Sequence, residues 1–145
     1  MKKKEEAPIG FRLVRIKTEQ FAMFPEIYDP KNEQIGMSLG LRFGIDSTKR
    51  IIAVLFLVQY EQEKSPFLVL EISNHYQIET KGWKNLEKTE EGIIIPKNLA
   101  THLVMLTVGT LRGALHCKVE GTEFNQFILP TIDVTQMVTE DVVLN

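Results

Sequence analysis

The sequence predicts an α+β domain in which one long and one short helix cover one face of a four-stranded antiparallel sheet. Two observations lead to this prediction. Four apolar or alternating segments between residues 11 and 79 are separated mostly by short polar turns, which is typical of antiparallel strands. The segment from Pro96 to Glu120 instead repeats its apolar residues at helical spacing and is followed by Gly121.

Composition limits the class of protein. The 145 residues are 43% hydrophobic and 25% charged, as in an ordinary globular domain that can bury a core. The formal net charge of −2 argues against a nucleic-acid partner. No 18-residue apolar window occurs, and the start MKKKEEAPIG lacks the apolar core of a secretory signal. We therefore expect a cytoplasmic protein without membrane insertion.

We predict a flexible charged arm over residues 1–10 and a single domain over residues 11–145. The first strand, residues 11–24, changes the parity of its apolar positions, which predicts a bulge or bend. A loop with two prolines follows over residues 25–34. In this loop Ile27 and Tyr28 either cover the core or remain exposed as a contact surface, and the sequence leaves both alternatives open.

The stretch from Ile35 to Asp46 has the clearest strand periodicity, because six apolar residues alternate with small or polar ones. The second face of this strand carries three glycines. Three roles are open for them: a twist of the sheet, close packing of another subunit, or a shallow surface for a ligand. Residues 51–60 are apolar on both faces, which predicts a strand covered on both sides. Residues 67–79 alternate again. Residues 80–92 are predicted to form a polar surface connection in which Trp83 lies against the core edge.

The apolar arc of the long helix covers about half of its circumference, more than one sheet face requires. We therefore expect a second covering surface and a homo-oligomer, either a dimer or a tetramer. The residues assigned to this interface are Met105, Gly109, Arg112, Gly113 and His116. The two glycines either admit another backbone or mark a bend. An extended apolar segment ending at Pro130 and a short helix beginning at Asp133 complete the prediction.

No motif for reaction chemistry is present. His102 and His116 are fourteen residues apart, about 21 Å along a helix, so they cannot bind one ion within a subunit. The single cysteine, Cys117, falls on the apolar side of the predicted helix and cannot form an internal disulfide. Nucleophile, phosphate-binding and calcium-binding motifs do not occur. We therefore predict no enzyme, no metal site and no cofactor.

Four stretches resemble the SecB export chaperones over roughly residues 11–140. FRLVRIKTEQFAMFPE resembles their first strand, with an Arg–Ile pair and a proline before a long crossover. YQIE at Tyr76 resembles the end of their last strand. IIIPKNLATHLVMLTVGTLRGAL resembles the start of their long helix, with Pro96 and Asn98 as counterparts. FILPTIDVTQMV resembles the apolar segment that leads to their second helix.

The resemblance implies a Greek-key-like sheet whose subunits pair edge to edge and stack through their long helices. It also implies binding of unfolded or nascent polypeptides in apolar grooves, with a role in protein export. By position, the groove residues are Phe24, Ile27, Tyr28, Phe127, Leu129 and Met137. For each of these residues the alternative is core packing. For the protein as a whole, the alternative is an adaptor, scaffold or antitoxin chaperone with one specific partner. Because the chain is nearly neutral, unlike that family, an export motor and an antitoxin are both open as partners.

Overall fold

The structure is a computed structural model that describes residues 8–145. Its main sheet contains β1 (Phe11–Met23), β2 (Gly36–Asp46), β3 (Ile51–Gln62) and β4 (Ser65–Ile78). The strands lie in the order β1–β4–β3–β2, and every neighbouring pair is antiparallel. This Greek-key order confirms the predicted four-stranded sheet. The two outer strands are joined by the crossover loop, residues 24–35.

Most of the predicted N-terminal arm, residues 1–7, lies outside the described residues. The residues just before β1 are held against the domain. The carbonyl oxygen of Gly10 accepts a hydrogen bond from the backbone N–H of Glu79 at 2.9 Å. Ile9 packs against the core. Packed structure therefore extends to Ile9.

β1 contains two register shifts against β4, one between Leu13 and Arg15 and one between Thr18 and Gln20. They confirm the bulge that the changing parity of β1 predicts. A one-residue slip moves every following side chain to the opposite face of a sheet. Each shift leaves an extra residue on β1, so the apolar residues on either side of the shifts stay on the same face.

The long helix α2 (Lys97–Val119) covers one face of this sheet. The core-facing residues of β3 are buried: Ile52, Val54, Phe56, Val58 and Tyr60. The residues between them, such as Leu55 and Leu57, are only half-buried. β3 is therefore fully covered on one face and partly covered on the other, so the predicted cover on both faces is found only in part. Long side chains supply part of the cover on the second face. Arg42 on β2 reaches across β3, and its Nη2 atom lies 3.1 Å from Oε1 of Glu71 on β4.

α2 has the predicted bounds within one residue, and Gly121 follows it with a φ of +77°, a conformation that glycine adopts without strain. The buried residues of α2 are Leu99, Ala100, Leu103, Val104, Thr107, Val108, Leu111, Leu115 and Val119. Leu106 and Cys117, which the periodicity places on the apolar side, are exposed instead. The wide apolar arc is therefore only partly used within the single chain.

A buried polar cluster joins β4 to α2. The hydroxyl of Tyr76 donates a hydrogen bond to the carbonyl oxygen of Leu103 at 3.1 Å and lies 2.8 Å from the hydroxyl of Thr107. The side-chain amide of Asn74 donates to Tyr76 Oη and to Thr110 Oγ1, each at 2.9 Å. Because these groups are buried, loss of one partner leaves the others without a hydrogen bond.

We expect Tyr76→Phe to lower the free energy of unfolding by about 1–3 kcal/mol, because it leaves buried polar groups unsatisfied. Tyr60→Phe is the matched control, since the Tyr60 hydroxyl makes one bond of 3.3 Å, to the carbonyl oxygen of Ile128. Its loss is expected to cost about 1 kcal/mol or less. Urea denaturation of both variants measures the difference, and equal losses would contradict the structural role of the Tyr76 cluster.

The chain between β4 and α2 is more ordered than the predicted surface connection. It forms α1 (Thr80–Lys84), β5 (Lys88–Thr89) and β6 (Gly92–Ile95). Trp83 in α1 is 7% exposed, in agreement with its predicted position at the core edge. β7 (Val142–Leu144) pairs with β6 and completes a small antiparallel sheet, β5–β6–β7.

The short helix predicted after Asp133 is a single 3-10 turn, Val134–Gln136. Asp133 caps it as predicted, because its carboxylate accepts a hydrogen bond from the backbone N–H of Thr135 at 3.1 Å. The helical segment is shorter than expected because the chain beyond it extends towards β7 and pairs there with β6.

Candidate functional site

Five aromatic rings pack together where the crossover loop meets the segment that follows α2. This aromatic cluster consists of Tyr28, Tyr60, Phe67, Phe124 and Phe127. Its contacting ring centroids are between 4.8 and 6.3 Å apart. Such pairs stabilise a fold by about 0.5–1.5 kcal/mol each beyond their buried area. The cluster therefore fastens the crossover loop and the later segment to the end of the sheet.

The structure separates the six predicted groove residues by burial. Phe127 and Leu129 belong to the core and are 8% and 1% exposed. Phe24, Tyr28 and Met137 are half-buried, whereas Ile27 is 40% exposed. The sequence leaves open whether Ile27 and Tyr28 cover the core or remain exposed. In the structure Tyr28 packs on the core, whereas Ile27 is exposed.

The segment from Phe127 to Pro130 has no regular structure, but side chains hold its backbone. Arg112 donates hydrogen bonds to the carbonyl oxygens of Leu129 at 3.0 Å and Pro130 at 2.8 Å. Tyr60 donates to the preceding carbonyl oxygen, that of Ile128. Three successive carbonyls are thereby satisfied. In this arrangement the side chains of Phe127 and Leu129 are buried and that of Ile128 is 65% exposed.

The crossover loop is also anchored on both sides of Tyr28. On one side, the backbone N–H of Phe24 donates to the carbonyl oxygen of Phe67 at 2.8 Å. On the other side, the buried amide of Gln62 accepts from the backbone N–H of Asp29 and donates to the carbonyl oxygens of Asp29 and Asn32, all at 2.9 Å. The loop backbone is therefore held in place without help from Tyr28.

Four exposed apolar side chains belong to the chain segments that flank the aromatic cluster. They are Ile27 (40%), Ile35 (37%), Met37 (39%) and Ile128 (65%), and we call them the crossover patch. Ile27 and Ile128 are chain neighbours of Tyr28 and Phe127, and Met37 lies opposite Tyr60 in the β2–β3 register. Ile35 directly precedes β2, so all four residues come from segments next to the cluster.

β2 presents an unpaired edge next to this patch. It pairs with β3 without a register shift over its whole length, and no strand among residues 8–145 pairs with its other edge. The opposite outer strand, β1, carries two bulges and four charged residues, which discourage strand addition: Arg12, Arg15, Lys17 and Glu19. β2 carries only Arg42 and Asp46 and is regular. The β2 edge is therefore the better template for an added strand, and the chain around β7 lies beside β2 only near Phe43.

A second set of exposed apolar side chains belongs to α2 and β1. Met105 and Leu106 on α2 are 56% and 44% exposed, and Leu13 and Ile16 on β1 are 45% and 56% exposed. We call these four residues the α2–β1 patch. Leu13 and Ile16 lie opposite Tyr76 and Asn74 in the β1–β4 register, and the side chains of Tyr76 and Asn74 are hydrogen-bonded to α2, so these β1 and β4 residues belong to the helix-covered side of the sheet.

Four of the five residues predicted for a subunit interface are exposed on α2: Met105, Gly109, Gly113 and His116. A Cβ atom placed at Gly109 or Gly113 would meet no other atom within 4 Å, so nothing in the single chain uses the room that these glycines leave. The helix continues through both of them. Arg112 differs, because its half-buried guanidinium is already bound to the carbonyls of Leu129 and Pro130.

The open face of the sheet carries a polar cluster. The carboxylate of Glu19 accepts a hydrogen bond from the hydroxyl of Ser73 at 2.7 Å, and that hydroxyl lies 3.0 Å from Nε2 of His75. Burial, followed by the nearby charge of Arg15, lowers the pKa of His75, and the bond from Ser73 lowers the pKa of Glu19. Ser73 is fully buried and donates to Glu19, so this cluster does not present an accessible nucleophile.

The lowered pKa of His75 makes stability depend on pH. The unfolded chain binds a proton at His75 more readily than the folded chain does, so stability is complete above the unfolded pKa of about 6.5 and falls as pH drops below it. We expect the urea midpoint of the wild type to decrease between pH 7.5 and pH 5.5. In His75→Gln this decrease should be smaller, and an unchanged pH dependence would contradict the assignment.

Within residues 8–145, no three His, Cys, Asp or Glu side chains are grouped so that they could hold a metal ion. The same residues contain no helix with the length and hydropathy needed to cross a membrane.

Comparison with protein-family models and with curated proteins finds no match for this sequence. Among solved structures, the chain is similar to the crystal structure of a protein of unknown function from Streptococcus agalactiae. The similarity covers 88% of this chain and 100% of that chain, with 10% sequence identity and a TM-score of 0.44.

Proposed function

We propose that this protein is a non-catalytic, oligomeric chaperone that binds unfolded or nascent polypeptides in the cytoplasm. The observation that carries the proposal is the crossover patch beside the unpaired edge of β2. An extended polypeptide along β2 can form backbone hydrogen bonds with the strand edge and place alternate side chains on the patch. Backbone bonds do not depend on sequence, and apolar contact is non-directional, so one surface suits many clients.

The residues proposed to contact the client follow from their exposure. Ile27, Met37 and Ile128 offer accessible side chains, and the half-buried Phe24 and Tyr28 lie between them and the core. Phe127 and Leu129 support this surface from below. Met137 and Phe43 line a cavity of about 300 Å³ together with residues 138–143. Thr139, Glu140 and Asp141 add polar groups to the lining of this cavity beside β2.

We propose the α2–β1 patch, together with Gly109 and Gly113, as the contact between subunits of a homo-oligomer. Monomeric proteins seldom leave large contiguous apolar surfaces in water, and exposed patches commonly mark interfaces. The two glycines would allow a neighbouring backbone to approach α2 closely. An export motor and an antitoxin are the candidate partners of the assembled chaperone.

The burial of Phe127 and Leu129 favours a second candidate function, an adaptor or scaffold with one specific protein partner. In that case the apolar groove is filled by the chain itself, and the remaining surface recognises a folded protein. The adaptor would be recovered with a specific partner and would show no affinity for a reduced, unfolded chain.

Aggregation of an unfolded client tests the proposal. The client is diluted from denaturant with increasing amounts of the protein, in the absence of ATP, and light scattering is followed. A chaperone of this kind should suppress scattering at near-stoichiometric ratios, because it binds the client and does no chemical work. Unchanged aggregation at tenfold excess would refute the proposal, and binding of a folded partner alone would favour the adaptor.

A further inference from the structure

We propose that Tyr28 is an internal competitor for the client, because its ring occupies a pocket that would otherwise accept an aromatic side chain of a bound polypeptide. This inference rests on the proposed function. Tyr28 is the only member of the aromatic cluster that the crossover loop contributes. The other four rings come from β3, β4 and the segment after α2.

The contacts of Tyr28 define the pocket. Its ring centroid lies 4.8 Å from that of Phe67, 5.2 Å from that of Phe124 and 5.7 Å from that of Phe127. These three rings are at most 8% exposed, whereas Tyr28 is half-buried. Tyr28 therefore lies over a floor of buried rings, at the boundary with solvent.

The attachment of Tyr28 allows its side chain to leave without movement of the loop. Its hydroxyl accepts one hydrogen bond, from the exposed side chain of Gln126 at 2.6 Å. The loop backbone is anchored independently, through Phe24 on one side and Asp29 on the other. Rotation of the side chain would expose the pocket, which is flanked by Ile27 and Ile128, the chain neighbours of Tyr28 and Phe127.

The consequence for binding is a reduced apparent affinity. If only the fraction of molecules with Tyr28 rotated outward can accept an aromatic side chain, the apparent dissociation constant is raised by the inverse of that fraction. Removal of the Tyr28 ring should therefore tighten binding, although Tyr28 is itself an aromatic residue on the proposed binding surface. A residue that only contacts the client would give the opposite result.

The test uses a ten-residue peptide of alternating Val and Thr with one central Phe, and a twin peptide with Ala in place of the Phe. We expect Tyr28→Ala to bind the Phe peptide at least about fivefold more tightly than the wild type does, while its affinity for the Ala peptide changes little. Tyr28→Phe is the matched control, since it keeps the ring and loses only the bond to Gln126; its affinities should stay close to those of the wild type. Weaker binding of the Phe peptide to Tyr28→Ala, or equal changes for both peptides, would overturn the proposal.

A second measurement covers the case in which Tyr28→Ala does not fold. Nitration of tyrosines in the wild-type protein by tetranitromethane is mapped by mass spectrometry, with and without the Phe peptide. Displacement of Tyr28 predicts faster nitration at Tyr28 and no change at the buried Tyr60 and Tyr76. Unchanged or slower nitration of Tyr28 would overturn the proposal. Failure of the wild type to bind either peptide would refute the proposed function itself.

Discussion

Replacement of both Met37 and Ile128 by glutamate is expected to abolish client binding. Each side chain, when covered by a client, contributes about 1.5 kcal/mol through burial of its apolar surface. Loss of both weakens binding about 100-fold, since 1.4 kcal/mol corresponds to a factor of ten. The two carboxylates add a desolvation cost, because a client that covers them removes their water.

Two measurements check this prediction: titration with an extended apolar peptide, and suppression of client aggregation. Both residues are exposed in the single chain, so the double variant should fold, and its circular dichroism and urea midpoint should stay close to those of the wild type. Val14→Glu is the matched control, because Val14 is 42% exposed on β1, at the opposite edge of the sheet. If the double variant still binds the peptide with wild-type affinity, the crossover patch is not the client site.

Leu106→Glu is expected to dissociate the proposed homo-oligomer into single chains of 16.6 kDa. In the single chain Leu106 is 44% exposed, so the new carboxylate remains hydrated and the fold tolerates it. At a subunit interface the same carboxylate would lose its water without a partner, at a cost of several kcal/mol. That cost raises the dissociation constant at least about 100-fold, enough to separate the subunits at micromolar concentration.

Sedimentation equilibrium of the wild type and the variant gives their masses. Val143→Glu is the control, because Val143 is 45% exposed and lies on β7 rather than on α2. Leu106→Glu should still bind the short apolar peptide, since a single chain carries a complete crossover patch. A wild type that sediments as a single chain at micromolar concentration would contradict the interface and the oligomer together.

The candidate site could be predicted only in part. Apolar residues in the crossover loop and after the helix were predicted to line a binding groove. The structure brings these two segments into contact, and Ile27 and Tyr28 lie at their surface. The same reasoning included Phe127 and Leu129, which the structure buries. Their neighbour Ile128 is the most exposed of the three, because side chains from α2 and β3 hold the intervening carbonyls and so determine which way the segment faces. No local pattern in the sequence carries that information.

The short elements were missed for a different reason. β5, β6 and β7 have two, four and three residues, too few for an alternating pattern to be recognised. β7 forms only because β6, nearly fifty residues earlier in the chain, offers it an edge. The short helix predicted after Asp133 begins at the correct place but is only a three-residue 3-10 turn, because the chain beyond it pairs with β6.

By itself, the sequence determined the four long strands, the bulged course of β1 and the extent of α2. These features follow from the spacing of apolar residues along one segment, and a segment carries that spacing wherever it is placed. Only the tertiary structure decided which apolar residues remain uncovered. Leu106 is exposed while Leu103 is buried, and Ile27 is exposed while Tyr28 is packed. The reason is that distant parts of the chain cover these segments, and they cover only part of the apolar surface.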